Sequence, residues 1–200
     1  MNYKPNELLE KYENINVCAP MVRYSKLPFR ELVASYNCQI TTTPMMLSKE
    51  FSKSEYARAA DFSTSNSERG TFKLKPKLPK GARISDVDDG NNKDNEDIVR
   101  GCLIAQFAAN DPIHLSQAAE LISPYVDGID LNCGCPQPWA IDEGIGSALL
   151  RQPELVKDII KITHDRVGNI LPVSFKIRVD SYDRWVYSNA FKKKILLMIC

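Results

Sequence analysis

Two cysteines separated by a single glycine follow a short apolar run in the second half of the chain. The run ends at Leu131, and residues 132–136 read Asn-Cys-Gly-Cys-Pro. A buried parallel strand that ends in such a polar turn can carry a reactive side chain to the rim of an α/β barrel. An ordinary thiol is mostly protonated at neutral pH, which suits a general acid. The flanking glycine and proline favour Cys135 for this role, although the spacing alone does not exclude Cys133.

Residues suited to a ligand also stand at the ends of other apolar runs. The first run ends in the Pro-Met-Val of residues 20–22, and later runs carry Gln106, Asn132, Lys176 and Arg178. Because the carboxyl ends of parallel strands form one rim, we expect these residues to converge on a single pocket. Each has a simpler explanation when taken alone, such as a loop cap for Gln106 or a surface position for Lys176. Their joint placement favours a binding site.

This set of side chains suits a flavin. A glutamine and an asparagine can bind the pyrimidine edge of an isoalloxazine ring or of a uracil, and a lysine such as Lys176 can stabilise the anionic reduced flavin. Backbone at residues 19–21 could pack against the ring. No two of the six cysteines form a Cys-x-x-Cys pair, so no metal site is predicted.

The elements that position these residues follow from the hydrophobic pattern. Short apolar runs alternate with amphipathic segments, which is the βαβα pattern of a parallel sheet. The pattern predicts strands at 15–19, 40–43, 102–107, 128–131 and 173–179. It predicts helices at 27–36, 48–60, 112–122 and 153–163, with Asp111 as the N-cap of the third.

Several motifs, in the correct order, resemble those of the tRNA-dihydrouridine synthases. They are Ala19-Pro20-Met21, Phe29-Arg30, Gln106, the cysteine turn at 132–136, the glycine-rich stretch at 144–150, and Lys176-Ile177-Arg178. The sequences of residues 108–111 and 132–139 most resemble those of the eukaryotic branch that acts at uridines 20a and 20b. The resemblance implies an α/β fold of the TIM-type (β/α)8 class, with only about the first five strands present in this chain.

The resemblance also implies roles for individual residues. Cys135 would be the catalytic acid. The FMN-binding residues would be Pro20, Met21, Val22, Gln106, Asn132 and Lys176. Arg30 and Arg178 would contact the substrate.

The implied reaction is the reduction of uridine to 5,6-dihydrouridine in the D-loop of tRNA, with FMN as cofactor and NADPH or NADH as reductant. The target base would be flipped out of its stack, hydride would pass from flavin N5 to C6, and Cys135 would protonate C5. The expected partner is therefore tRNA, and the protein is expected to be a monomer. The first residues lack the apolar region of a signal peptide and nothing approaches a membrane span, so we expect a cytoplasmic location, with the nucleus as the alternative.

Two segments stand apart from the barrel pattern. Residues 63–97 are basic and proline-bearing in the first half and acidic in the second, which is typical of an exposed insertion. Its basic half is either a solvated loop or a contact for RNA phosphates. The tail at 180–200 departs from the family pattern, so the barrel part is predicted to comprise 1–62 and 98–179. Since 26 Lys and Arg balance 25 Asp and Glu, any RNA contact must be local.

A complete barrel has eight strands and usually about 250 residues. The family's C-terminal helical tRNA-binding domain also has no counterpart in this sequence. We therefore predict a C-terminally truncated chain. One alternative is another FMN barrel that acts on a free pyrimidine. The other is an inactive fragment or partner-binding protein, and retention of the flavin would distinguish it from both enzymes.

Overall fold

The computed structural model describes residues 1–77, 96–178 and 196–199, the last four through the backbone alone. The helices are α1 (Pro5–Lys11), α2 (Leu27–Ser35), α3 (Ser48–Lys53), α4 (Glu55–Asp61), α5 (Pro112–Ile122), α6 (Pro138–Asp142) and α7 (Pro153–Val167). The strands are β1 (Ile40–Thr42), β2 (Met46–Leu47), β3 (Thr71–Leu74), β4 (Asp97–Arg100), β5 (Cys102–Ala108), β6 (Gly128–Cys133), β7 (Val173–Ile177) and β8 (Leu196–Ile199). Short 3₁₀ turns occur at Ser67–Arg69, Ser123–Tyr125 and Gly146–Arg151.

The main sheet is parallel and has the strand order β1-β5-β6-β7-β8, with β2 also pairing with β5. Residues of β5 are buried throughout, as expected for a parallel strand covered on both faces. Within the described ranges the sheet ends at β1 and β8 and does not close. The predicted α/β class is confirmed, and the arrangement is that of a partial barrel.

The register of three central strands fixes the positions that matter for function. Gln106 on β5 lies opposite Asp130 on β6, and Asn132 on β6 lies opposite Lys176 on β7. Polar residues near the carboxyl ends of adjacent strands are therefore neighbours, as the sequence pattern predicted.

Helices α5 and α7 pack side by side over one face of this sheet. Their buried residues join those of β5, β6 and β7 in a single core that includes Leu115, Ile159 and Phe107. Asp111 caps α5, since its carboxylate accepts hydrogen bonds from the backbone N–H groups of Ile113 and His114 at 2.7 and 3.1 Å. The predicted cap is confirmed.

Two predicted elements differ from the structure. Residues 15–19 form no strand and contribute one parallel bridge, between Val17 and Ile40. The predicted helix at 48–60 is interrupted at Ser54, whose extended backbone ends α3 and whose hydroxyl caps α4 by accepting from the N–H of Ala57. The serine competes for backbone hydrogen bonds and so divides the helical pattern in two.

The flanks of the predicted insertion at 63–97 are part of the folded structure. Strand β3 pairs antiparallel with β4, and Phe72 and Leu74 on β3 are buried in a second core with Leu8 of α1. Alternation along β3 buries these two side chains while Thr71 and Lys73 stay exposed. The basic composition of the surrounding segment therefore obscured the strand pattern. Residues 78–95 lie outside the described residues, as does most of the predicted tail at 180–200, of which β8 continues the parallel sheet. The proposed division into 1–62 and 98–179 stays a prediction.

None of the helices in the described ranges has the length and apolar character needed to cross a membrane.

Candidate active site

A cleft of about 480 Å³ opens at the carboxyl ends of β5, β6 and β7. Seven of the nine predicted site residues line it, namely Pro20, Val22, Gln106, Asn132, Cys135, Lys176 and Arg178. Five further residues, which the sequence did not single out as site residues, complete the lining, namely Arg23, Gly134, Pro136, Gln137 and Trp139. The predicted convergence on one rim therefore holds for most of the set.

The two cysteines of the turn have different surroundings. Cys133 is the last residue of β6, is fully buried in the main core, and does not line the cleft. Burial raises the pKa of the Cys133 thiol well above its ordinary value, and the nearby charge of Asp130 adds to that effect. Cys135 is 8% exposed and lines the cleft. The spacing in the sequence did not decide between Cys133 and Cys135. In the structure, only Cys135 lines the cleft.

The turn that carries Cys135 is held from both sides. The side-chain oxygen of Asn132 accepts hydrogen bonds from the backbone N–H groups of Gly134 and Cys135, at 3.0 and 2.9 Å. On the other side, the N–H of Ser147 donates to the carbonyl of Cys135 at 2.9 Å. Gly146 has a φ of +64°, and a Cβ there would lie 2.7 Å from the Cys135 carbonyl oxygen, so glycine is required for this approach.

A chain of buried side-chain hydrogen bonds connects the three central strands beneath the cleft. The hydroxyl of Ser174 donates to Asp130 Oδ1 at 2.7 Å, and Gln106 Nε2 donates to Asp130 Oδ2 at 2.8 Å. Asn132 Nδ2 in turn donates to Gln106 Oε1 at 2.8 Å. This "amide relay" (Ser174, Asp130, Gln106 and Asn132) ends at the backbone of the Cys135 turn.

Asp130 is fully buried, and sequence reasoning did not select it. Burial raises the pKa of its carboxyl to about 6, against the opposing effects of the hydrogen bonds from Gln106 and Ser174 and of the Lys176 charge. The signal in the sequence was an acidic residue inside an otherwise apolar strand. Such a charge is costly to bury unless it has hydrogen-bond partners.

The cleft is rich in hydrogen-bond donors and positive charge. Arg23, Lys176 and Arg178 line it, and none of the lining residues in the described ranges is a carboxylate. Arg178 also donates from Nε to the carbonyl of Gly134 at 3.2 Å, which ties the end of β7 to the cysteine turn. Arg23 has a left-handed backbone, with φ of 69°, a conformation that side-chain-bearing residues seldom adopt. The arrangement favours a ligand with carbonyl or anionic acceptors.

Two of the predicted residues do not lie in the cleft. Met21 is 39% exposed and outside the lining, although its backbone N–H is fixed by the Ser25 hydroxyl at 2.8 Å. Arg30 is buried and donates to the Glu68 carboxylate and to the carbonyls of Ser25 and Ser63. The structure therefore does not bring Arg30 to the cleft, because its guanidinium forms a buried ion pair between α2 and the segment before β3.

In the part of the chain that the structure describes, no group of three or more His, Cys, Asp or Glu residues is arranged to hold a metal ion.

Comparison with known proteins finds the same family that the motifs indicated. The family model described as "Dihydrouridine synthase (Dus)" matches residues 17–192. The tRNA-dihydrouridine(20a/20b) synthase [NAD(P)+] of Schizosaccharomyces pombe is 42% identical over 82% of this chain and 40% of the relative. The tRNA-dihydrouridine(20a/20b) synthase [NAD(P)+]-like protein of Homo sapiens is 40% identical over 88% of this chain and 45% of the relative. The tRNA-dihydrouridine(16/17) synthase [NAD(P)(+)] of Saccharomyces cerevisiae is 31% identical over 82% of this chain and 31% of the relative. The chain thus spans less than half the length of these curated relatives.

Proposed function

The chain belongs to the dihydrouridine synthase family, and from that premise we propose that its cleft serves the FMN-dependent reduction of uridine in tRNA to 5,6-dihydrouridine, with NADPH or NADH as reductant. The observation that carries the proposal is the placement of Cys135 in a donor-rich cleft beside Gln106, Asn132 and Lys176. We further propose uridines 20a and 20b as the targets, since relatives named for these positions are 35–42% identical to this chain, against 31% for the relative named for positions 16 and 17.

The side chains of the cleft fit the ring of a flavin. A volume of about 480 Å³ lies in the usual range for cofactor and ligand pockets. The residues that would hold the ring are Pro20, Val22, Gln106, Asn132 and Lys176. When bound, FMN would supply the hydride that reaches C6 of the uridine.

Cys135 would supply the proton that reaches C5. Its sulfur is carried by a residue at the edge of the cleft, and the hydrogen bonds from the turn to Asn132 fix its backbone. A general acid must be held within hydrogen-bond reach of the atom that it protonates. The anchored turn meets that need once the base has been flipped into the cleft.

The rim offers contacts for the RNA around the target base. Arg23 and Arg178 can neutralise phosphates, and Trp139, which is 44% exposed on the cleft, offers an aromatic face on which a base can stack. These groups are local, which agrees with a net charge of only +1 for the whole chain.

The test is to purify the chain and to identify any released chromophore by absorption and mass. The chain, with FMN added, is then incubated with NADPH or NADH and a tRNA transcript that carries no modifications. We expect bound FMN and dihydrouridine at positions 20a and 20b. A chain that fails to bind FMN contradicts the proposal for this chain. A chain that binds FMN but reduces free uracil and not tRNA favours the alternative of a pyrimidine-reducing flavin barrel.

A further inference from the structure

The hydrogen bonds of the amide relay all point toward Asp130, which accepts from both sides. Ser174 and Gln106 donate to Asp130, Asn132 donates to Gln106, and the Cys135 turn donates to Asn132. An ionised carboxylate can only accept hydrogen bonds. Asp130 therefore requires the nitrogen of the Gln106 amide to face it, and this leaves the Gln106 oxygen for Asn132 and the Asn132 oxygen for the turn.

We propose that Asp130 is a positioning residue, which sets the orientation of the Gln106 and Asn132 amides and thereby anchors the turn that carries Cys135. The inference concerns the chain's own hydrogen bonds, and it rests on the proposed function only where it names the ligand.

The orientation has a consequence for the ligand. Each amide nitrogen has two N–H groups, and the relay uses one of each. Both residues line the cleft, so the relay leaves N–H donors, while both carbonyl oxygens are engaged below. The cleft is thereby prepared for the acceptor edge of a carbonyl-bearing heterocycle, such as the O2 and O4 edges of a flavin or a uracil.

A buried aspartate could instead serve only to tie three strands together. The two roles differ in what happens when Asp130 gains a proton. A protonated Asp130 must donate its O–H, either to Ser174, whose own hydroxyl is 3.1 Å from the Ile129 carbonyl and can donate there, or to Gln106. The first choice preserves the relay. The second forces both amides to rotate and leaves the N–H groups of the turn without their acceptor.

The variant Ser174→Ala distinguishes a positioning role from a purely structural one. It removes the hydroxyl that accepts the O–H of protonated Asp130, so protonated Asp130 can no longer keep the hydrogen bonds of the amide relay in their original direction. The charged and titratable groups near this carboxyl are then Lys176 on β7 and Cys133 on its own strand, with the neutral Gln106 on β5. We expect the Cys135 turn of S174A to stay anchored while Asp130 is ionised. It should loosen as the pH falls through the pKa of Asp130, which is about 6 in the wild type and higher in S174A, because the hydrogen bond from Ser174 that lowers this pKa has been removed.

The readout is the rate at which Cys135 reacts with 4,4′-dithiodipyridine in the chain without cofactor, followed by peptide mass spectrometry between about pH 8 and about pH 5. The ratio of the S174A rate to the wild-type rate should rise roughly ten-fold across this range, since one unsatisfied buried group shifts an equilibrium by about that factor. Asp130→Asn alone should show a flat ratio, because Ser174 can accept from the new amide. The double variant D130N/S174A should react fast at every pH.

Cys102 provides the internal control, since it is buried in the second core, away from the cleft. If Cys102 is modified at the same rate as Cys135, the variant is globally unfolded. Should this happen with the double variant, its result is discarded and the pH dependence of S174A alone tests the proposal. A pH-independent ratio for S174A would overturn the proposal. Because the readout needs neither FMN nor tRNA, it remains valid if the chain proves not to bind either one.

Discussion

Cys133 and Cys135 show how two residues of the same type acquire different chemistry. Cys133 belongs to β6 and its sulfur is enclosed by the core, whereas Cys135 follows the strand and lines the cleft. The chain leaves the sheet after Cys133, and the side-chain oxygen of Asn132 accepts hydrogen bonds from the N–H groups of the turn that follows. The end of the strand thus decides which of the two cysteines reaches the cleft, and this is the proposed proton donor.

The two cysteines give matched variants for the proposed reaction. We expect Cys135→Ala to lower dihydrouridine formation by at least about 100-fold, the usual contribution of a general acid, while FMN remains bound. Cys133→Ala should remain active and lose roughly 1 kcal/mol of unfolding free energy, because it removes a buried sulfur from the core. The measurements are dihydrouridine yield on tRNA, FMN absorption and urea unfolding. Comparable activity loss in both variants would argue against Cys135 as the sole proton donor.

Residue-level sequence reasoning correctly placed side chains at the cleft where they lie near the carboxyl end of an apolar run, as for Gln106, Asn132, Lys176 and Arg178. It did not foresee the burial of Arg30, because nothing in the sequence shows that Glu68, far along the chain, pairs with the guanidinium. It also passed over Asp130, whose partners on β5 and β7 are brought together only by the strand register. Long-range polar pairing was therefore the information that the linear pattern lacked.

At the scale of elements, the 3₁₀ turn Gly146–Arg151 is the second support of the Cys135 turn. Its first residue approaches the cysteine backbone closely, and its second donates to the Cys135 carbonyl. Gly144, two residues earlier, also has a positive φ, of +69°, but a Cβ there would meet only the side chain of Asn110 at 3.7 Å. The two glycines therefore share the strained conformation and differ in the space around them.

This difference predicts unequal effects of two alanine substitutions. Gly144→Ala should cost about 1 kcal/mol of unfolding free energy, the penalty for an alanine in the left-handed region. Gly146→Ala should cost more, about 3 kcal/mol or above, because it adds a backbone collision to the same strain. It should also speed modification of Cys135 by displacing the turn. Urea unfolding and thiol labelling measure the two effects, and equal costs for both variants would show that the close approach is not maintained in solution.

Among the elements, the ones with strong periodicity were predictable and the irregular ones were not. Strands β1, β5, β6 and β7 and helices α2, α5 and α7 lie where the apolar pattern placed them. The segment at 15–19 has an apolar pattern but pairs at one residue only. Strand β3 was not predicted, because it lies in a basic segment and its burial depends on α1 and β4, which are distant in sequence.

At the scale of the whole molecule, charge is balanced overall and concentrated locally. The chain has a net charge of +1, whereas the cleft is lined by Arg23, Lys176 and Arg178 without a carboxylate among the described lining residues. We therefore expect RNA phosphates to bind at a small cationic site rather than across a broad basic surface. The number of phosphates neutralised on binding should be correspondingly small.

Salt dependence of tRNA binding tests this view. Each phosphate contact in a single-stranded region contributes a slope of about −0.7 to the dependence of log K on log salt. With Lys176 assigned to the flavin, Arg23 and Arg178 remain, so we expect a total slope of about −1 to −2 for this chain. Arg178→Gln should reduce the magnitude of the slope by about 0.7 and weaken binding at low salt.

Lys73 supplies the matched control, since it is an exposed cation on β3 and does not line the cleft. Lys73→Gln changes the net charge of the chain by the same amount as R178Q, so an effect of overall charge would be equal in the two variants. If binding is local, K73Q should leave the slope unchanged, and only R178Q should reduce it. If both substitutions reduced the slope equally, RNA binding would depend on the net charge of the whole molecule. That result would contradict the assignment of the cleft as the RNA contact.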